Sequence, residues 1–153
     1  MMEDRIGERL VRAGLISPDQ RDFALNEQKR TGERLGVIMR QLSLVTEEDL
    51  SIALADAAGI EHVKIRTMSI DPKVVDVFPE AFARRYKVFP VTSTDDSVTV
   101  AVVDPLDVAT IDRVQQQTRR YVKVLSSTEF DILTTIDKYY GAQREGEDFD
   151  TLV

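Results

Sequence analysis

Apolar and polar positions in the first 60 residues fall into four short helical segments with legible ends. One runs from about Asp4 to Ala13 and is closed by Gly14. Ser17 opens the next as an N-cap, with Pro18 at the first helical position and Gln20 as its capping-box partner. This helix carries Phe23, Ala24 and Leu25 on its inner side and reaches about Lys29. A third spans Glu33 to Leu42. Thr46 caps the fourth, with Glu47, Glu48 and Asp49 at the positive end of its dipole. Leu50, Ile52, Ala53, Leu54 and Ala57 are its apolar positions, and Gly59 is its stop.

After Gly59 the pattern changes to short strands between helices. His62–Ile65 is a strand candidate, Asp71-Pro72 opens a short helix to Phe78, and Pro79 opens another to Arg85. Lys87–Val91 and Ser97–Val103 form a strand pair turned at Asp95-Asp96. Asp107, or the nearby Asp104-Pro105, opens a helix to about Thr118, Val122–Leu125 is a third strand, and Ser127 caps a last helix ending near Gly141. The expected fold class is α+β, a four-helix half followed by a small α/β sandwich half. The expected division is 1–60 helical, 61–142 α/β, and 143–153 an acidic, disordered tail carrying Glu145, Glu147, Asp148 and Asp150.

The helical half contains a repeat offset by 29 positions. Arg5-Ile6-Gly7 returns as Arg34-Leu35-Gly36, Ala13-Gly14-Leu15-Ile16 as Leu42-Ser43-Leu44-Val45, Ser17-Pro18-Asp19-Gln20 as Thr46-Glu47-Glu48-Asp49, and Ala24-Leu25 as Ala53-Leu54. Fixed-period self-similarity marks repeated supersecondary units that bury their apolar faces against each other. Two copies are too few for a solenoid, so a compact pair of helical hairpins is expected. Each copy sets an Arg-x-Gly at a turn, which allows a two-fold-like ligand site.

Composition narrows the classes. With 153 residues, 42% of them hydrophobic, the chain can bury a core. A net charge of -7 argues against a general DNA or RNA binder, which needs a basic face, but not against one small anion held by local arginines. The absence of cysteine removes disulfides, thiolate metal sites and cysteine nucleophiles. The charged start Met1-Met2-Glu3-Asp4 has no apolar run behind it, and no stretch approaches the ~20 apolar residues a bilayer span requires. A soluble, cytoplasmic protein without direct membrane insertion is the expectation.

The repeat resembles the cyclic di-GMP-binding MshEN domain, the N-terminal module of type II secretion and type IV pilus assembly ATPases. The resemblance rests on Arg-Leu-Gly, two spacers, two aliphatics, two spacers, Gly, two aliphatics, then Leu, Leu and Gln. Five residues, Lys29 to Glu33, separate the copies. Val102–Asp107 resembles the strand-to-helix turn of the family's second half. The first copy keeps Arg5, Gly7, Leu10, Val11, Gly14, Leu15, Ile16, Leu25 and Gln28, with Ile6 and Arg21 in place of leucines. The second keeps Arg34, Leu35, Gly36, Leu44, Val45, Leu50 and Leu54, but has Met39 and Arg40 at the aliphatic pair, Ser43 for glycine and Ala57 for the closing glutamine.

The resemblance implies a regulatory module that binds cyclic di-GMP, with a motor ATPase domain, in the same or another chain, as its partner. Its implied ligand residues are Arg5, Ile6, Gly7, Leu10, Gly14, Leu25, Gln28, Arg34, Leu35, Gly36, Leu50 and Leu54, with Asp104 reaching a guanine edge from the second half. An arginine can pair bidentately with phosphate or with guanine O6 and N7, and can stack on a base. The alternative is a docking module for a cytoplasmic portion of an inner-membrane platform protein, recruited to the membrane face with ligand binding lost. Each residue also has a structural reading. Arg5 and Arg34 can pair with Asp4 or Glu33, the glycines can permit close packing, the leucines can form core, Gln28 can be plain surface, and Asp104 before Pro105 can be a cap. Catalysis is not expected: there is no phosphate loop, His62 has no evident acid partner, and neither Asp95-Asp96 nor Asp148-Phe149-Asp150 makes a metal site. No cofactor is expected.

Overall fold

A computed structural model describes the backbone of residues 2–152 and the side chains of residues 6–144. The chain divides into two compact units, Met1–Gly59 and Ile60–Val153.

The first unit is four helices: α1 (Met2–Arg12), α2 (Pro18–Thr31), α3 (Leu35–Gln41) and α4 (Glu47–Ala58). Both capping boxes form. Gln20 N–H donates to Ser17 Oγ at 3.1 Å while Ser17 N–H donates to Gln20 Oε1 at 2.8 Å, and Thr46 and Asp49 exchange the same pair at 3.0 and 3.4 Å. The repeat extends to the turns. Leu15 N–H donates to Leu10 O at 3.0 Å, and Leu44 N–H donates to Met39 O at 2.9 Å. Gly14, at φ 76, and its counterpart Ser43, at φ 56, both take the left-handed conformation. Ile6, Leu10, Ile16, Ala24, Leu35, Ile38, Met39, Val45 and Ala53 make the core. Phe23, expected on the inner side of α2, and Ile52, an apolar position of α4, are 54% and 39% exposed. A helix turns by about 100° per residue, so once Ala24 and Ala53 face inward the residue before each points outward.

The second unit holds a three-stranded sheet in the order β1-β2-β3. β1 (Val88–Ser93) pairs antiparallel with β2 (Ser97–Val102), and a bulge falls between Pro90 and Thr92. The crossover helix between Val108 and Thr118 then returns the chain so that β3 (Tyr121–Ser126) lies parallel to β2. In chain order the helices here are α5 (Glu80–Tyr86), α6 (the crossover) and α7 (Glu129–Leu152), preceded by 3₁₀ turns at Ile65–Thr67 and Pro72–Val77. Val88, Phe89, Val98, Val100 and Val102 pack with Val114, Ile132, Ile136 and Tyr140 in the core. The buried Tyr140 hydroxyl donates to Phe78 O at 2.8 Å, and its ring meets Phe89 edge-on at 6.1 Å.

Three expectations change here. His62–Ile65 is not a strand: only His62 bridges to Ser126, because β3 ends at that residue and offers nothing further to pair with. The cap of α7 is Thr128, whose Oγ1 accepts from Asp131 N–H at 3.1 Å, while Ser127 Oγ donates to Val63 O at 2.7 Å. Finally, α7 does not end near Gly141 but runs to Leu152, so residues 143–152 of the segment expected to be disordered are helical. One glycine costs a helix about 1 kcal/mol, and the good helix formers Ala142, Gln143 and Arg144 follow it. Gln143 also donates to Asp76 at 3.3 Å and Arg144 pairs with Glu80, which holds the helix past the glycine. The side chains of Glu145, Glu147, Asp148 and Asp150 lie outside the described residues. Among the described residues no helix is long and apolar enough to cross a membrane.

Candidate functional site

Twenty-nine residues of offset bring the same two positions together in each copy. A Cβ built on Gly36 of α3 would lie 2.7 Å from Leu50 Cδ2 and 3.5 Å from its Cγ on α4. A Cβ built on Gly7 of α1 would lie 3.2 Å from Arg21 Cγ on α2 and 3.7 Å from Leu35 Cδ2. Position 7 is thus to position 21 as 36 is to 50, and each glycine lets a side chain of the following helix lie on its backbone. The sequence marked Arg21 only as a missing leucine. The repeat makes residue 21 the counterpart of Leu50, and the fold sets it over Gly7.

The other candidates separate by burial. Ile6, Leu10 and Leu35 are 5%, 0% and 2% exposed and belong to the core of the unit. Leu25, Gln28, Leu50 and Leu54 are half-buried, with the three leucines packed against that core. Gly14 is exposed at a turn with nothing within 4 Å of an added Cβ, so its backbone angle, not its space, calls for glycine. Arg34 is the N-cap residue of α3, with an exposed side chain and extended backbone, and its carbonyl accepts from Ile38 N–H at 3.2 Å. Arg5 lies in α1, and its side chain falls outside the described residues.

Electrostatically the first unit is lightly coupled. Arg21 Nε donates to the neighbouring Asp22 at 3.2 Å, with side-chain exposures of 27% and 60%. Arg30 donates two hydrogen bonds to Glu27, which hold that carboxyl below the usual carboxylate range and raise the guanidinium in turn. Asp104 belongs to the second unit. It is half-buried and its Oδ1 accepts from Leu106 N–H at 2.9 Å, an Asx turn before Asp107 caps α6 through Thr110. His62 Nδ1 sits 3.1 Å from Ser126 Oγ.

The second unit also carries grooves. One of about 540 Å³ is lined by Ile70, Lys73, Val91, Ser93 and Arg120 among others, and one of about 410 Å³ by Phe82, Arg85, Tyr86 and Arg113 among others. Neither contains a residue read as ligand-binding from the sequence. Among the described residues no group of three histidine or acidic side chains is placed to hold a metal ion.

Comparison with known proteins gives a consistent neighbourhood. The profile of the MshEN domain matches residues 58–146, a stretch that includes Asp104 and begins after Leu54. The type IV pilus assembly ATPase PilB of Myxococcus xanthus is 28% identical over 91% of this chain, and PilB of Thermus thermophilus 26% over 90%. Bacteriophage adsorption protein B of Escherichia coli K12 is 30% identical over 94%. The chain spans only 25%, 16% and 19% of the lengths of these relatives. Among solved structures, MshE with cdg superposes with a TM-score of 0.76 and 28% identity, covering 88% of this chain and 98% of the other. The N-terminal domain of XpsE, at 21% identity, shares the fold with a TM-score of 0.64 over 89% of this chain and 94% of the other.

Proposed function

The chain belongs to the MshEN domain family, and from that membership we propose that it is a regulatory module binding cyclic di-GMP through its tandem repeat. The observation that carries this reading is the doubled helix pair with its two glycine contacts, Gly7 beneath Arg21 and Gly36 beneath Leu50. A related structure, MshE, holds cdg, which we take to be cyclic di-GMP, and this chain covers 98% of it. The ligand has two like halves, and the repeat offers it two equivalent helix pairs.

The exposed Arg34, with Arg5 from the first copy, pairs with phosphate or with guanine O6 and N7. The half-buried Leu25, Leu50 and Leu54 give apolar surface to the bases, and Gln28 adds an amide. The bound state then biases a secretion or pilus motor ATPase on the cytoplasmic side of the inner membrane. PilB, of which this chain matches a quarter or less, is the relative that suggests such a motor. A ligand can move that equilibrium only by its differential affinity for the motor's two states. Calorimetric titration of cyclic di-GMP into the wild type and into Arg34→Ala tests the binding. Micromolar binding that weakens about ten-fold or more in the variant is the expected result. A wild type that takes up no ligand at millimolar concentration would sink the reading.

One observation favours a second reading, docking on an inner-membrane platform protein. Phe23 and Ile52, equivalent across the repeat, are both large, apolar and exposed. Capture of a platform-protein fragment that survives Arg34→Ala but is lost in Phe23→Ser with Ile52→Ser would support it.

A further inference from the structure

The two halves of the repeat place unlike chemistry at one equivalent position. Over Gly36 lie the methyl groups of Leu50, whereas over Gly7 lies the stem of Arg21, with Cγ and Cδ at 3.2 and 3.5 Å from the position of a built Cβ. The aliphatic part of Arg21 therefore occupies the place of a leucine, and the guanidinium continues beyond the point where a leucine ends. Its described partner is the adjacent Asp22, which is 60% exposed, and such a shallow pair is a weak competitor for a phosphate. The asymmetry repeats one helical stretch later, where Gln28 of the first copy corresponds to Ala57 in the second.

We propose that Arg21 is a phosphate-anchoring residue that makes the site unequal, the first half gripping a phosphate of the ligand and the second half offering apolar surface through Leu50. This rests on the reading that the repeat binds a cyclic dinucleotide. If Arg21 served only packing, leucine would serve better, because it fills the same space over Gly7 without confining a long cationic side chain. Packing and binding thus pull this position in opposite directions. Arg21→Leu restores the contact seen at Gly36 and Leu50 and leaves the unliganded fold as stable or more so, while it removes a charged partner of the ligand.

The test is titration of cyclic di-GMP into wild type, Arg21→Leu and Arg21→Lys at about 50 and 200 mM salt, with melting curves of each protein alone. Support would be Arg21→Leu melting no lower than the wild type, binding about ten-fold more weakly at low salt, and losing part of the salt dependence that Arg21→Lys retains. Arg21→Leu binding as tightly as the wild type, with the same salt dependence, overturns the proposal and leaves the nucleotide-binding module standing. Weaker binding accompanied by a lower melting temperature and an unchanged salt dependence assigns Arg21 to packing and also overturns it. A wild type that binds no cyclic di-GMP removes both readings together.

Discussion

At Gly36 the missing side chain is what lets Leu50 lie against α3. Alanine there gains up to about 1 kcal/mol of helix propensity, but it meets Leu50 at 2.7 Å, and overpacking costs about 1–3 kcal/mol. Gly36→Ala is therefore expected to lose about 1 kcal/mol in urea unfolding. With Leu50 cut back to alanine the obstruction is gone, so the same substitution should then stabilise, and this reversal of sign is the decisive readout of the double-mutant cycle. Gly7→Ala meets only the bendable stem of Arg21 at 3.2 Å and should be near neutral. Neither glycine has a positive φ, so close approach and not backbone freedom explains both.

Between elements, the turns after α1 and α3 show what a repeat can lose and still fold. The hydrogen bonds at Leu15 and Leu44 are alike, but one turn has Gly14 and the other Ser43 in the left-handed region. A non-glycine residue there is strained by about 1–2 kcal/mol, partly offset by the unfolded-state entropy glycine adds. Ser43→Gly is expected to stabilise by roughly 1 kcal/mol, raising Tm by about 4 °C. Gly14→Ala should lose a similar amount although nothing lies within 4 Å of the new Cβ. Thermal melts of both variants check the pair, and a Ser43→Gly that melts lower would show that its hydroxyl has a stabilising role the turn geometry does not reveal. Caps and turns of this kind were legible from sequence, since their signals lie within a few residues of one another. The cap of α7 was assigned to Ser127 instead of Thr128 because two adjacent hydroxyl residues carry equal local signals, and only contact with Val63 draws Ser127 away.

Over the whole molecule, Glu80 joins distant stretches of the second unit, pairing with Arg84 in its own helix and with Arg144 in α7. Hydrogen bonds from Arg84 first, then from Arg144, hold its carboxyl below the ordinary value of 4.5. A depressed carboxylate stabilises the fold above its unfolded pKa and loses that contribution as pH falls through the lowered value. Glu80→Gln should therefore cost on the order of 1 kcal/mol at pH 7, and the gap in Tm from the wild type should close below about pH 4. A gap that persists in acid would mean that packing, not charge, accounts for it. The sequence by itself determined the four helices of the first unit, their caps and the 29-residue repeat, because these rest on neighbouring residues and on self-similarity. It also determined the α+β class and the family resemblance. Tertiary structure alone decided that Phe23 and Ile52 face outward, that His62 makes one bridge and no strand, that α7 passes through Gly141, and that Arg21 lies over Gly7. Each of these depends on a group brought near by folding: a core that sets a helix's rotation, a strand that ends, an acid that holds a helix, or a glycine that leaves room.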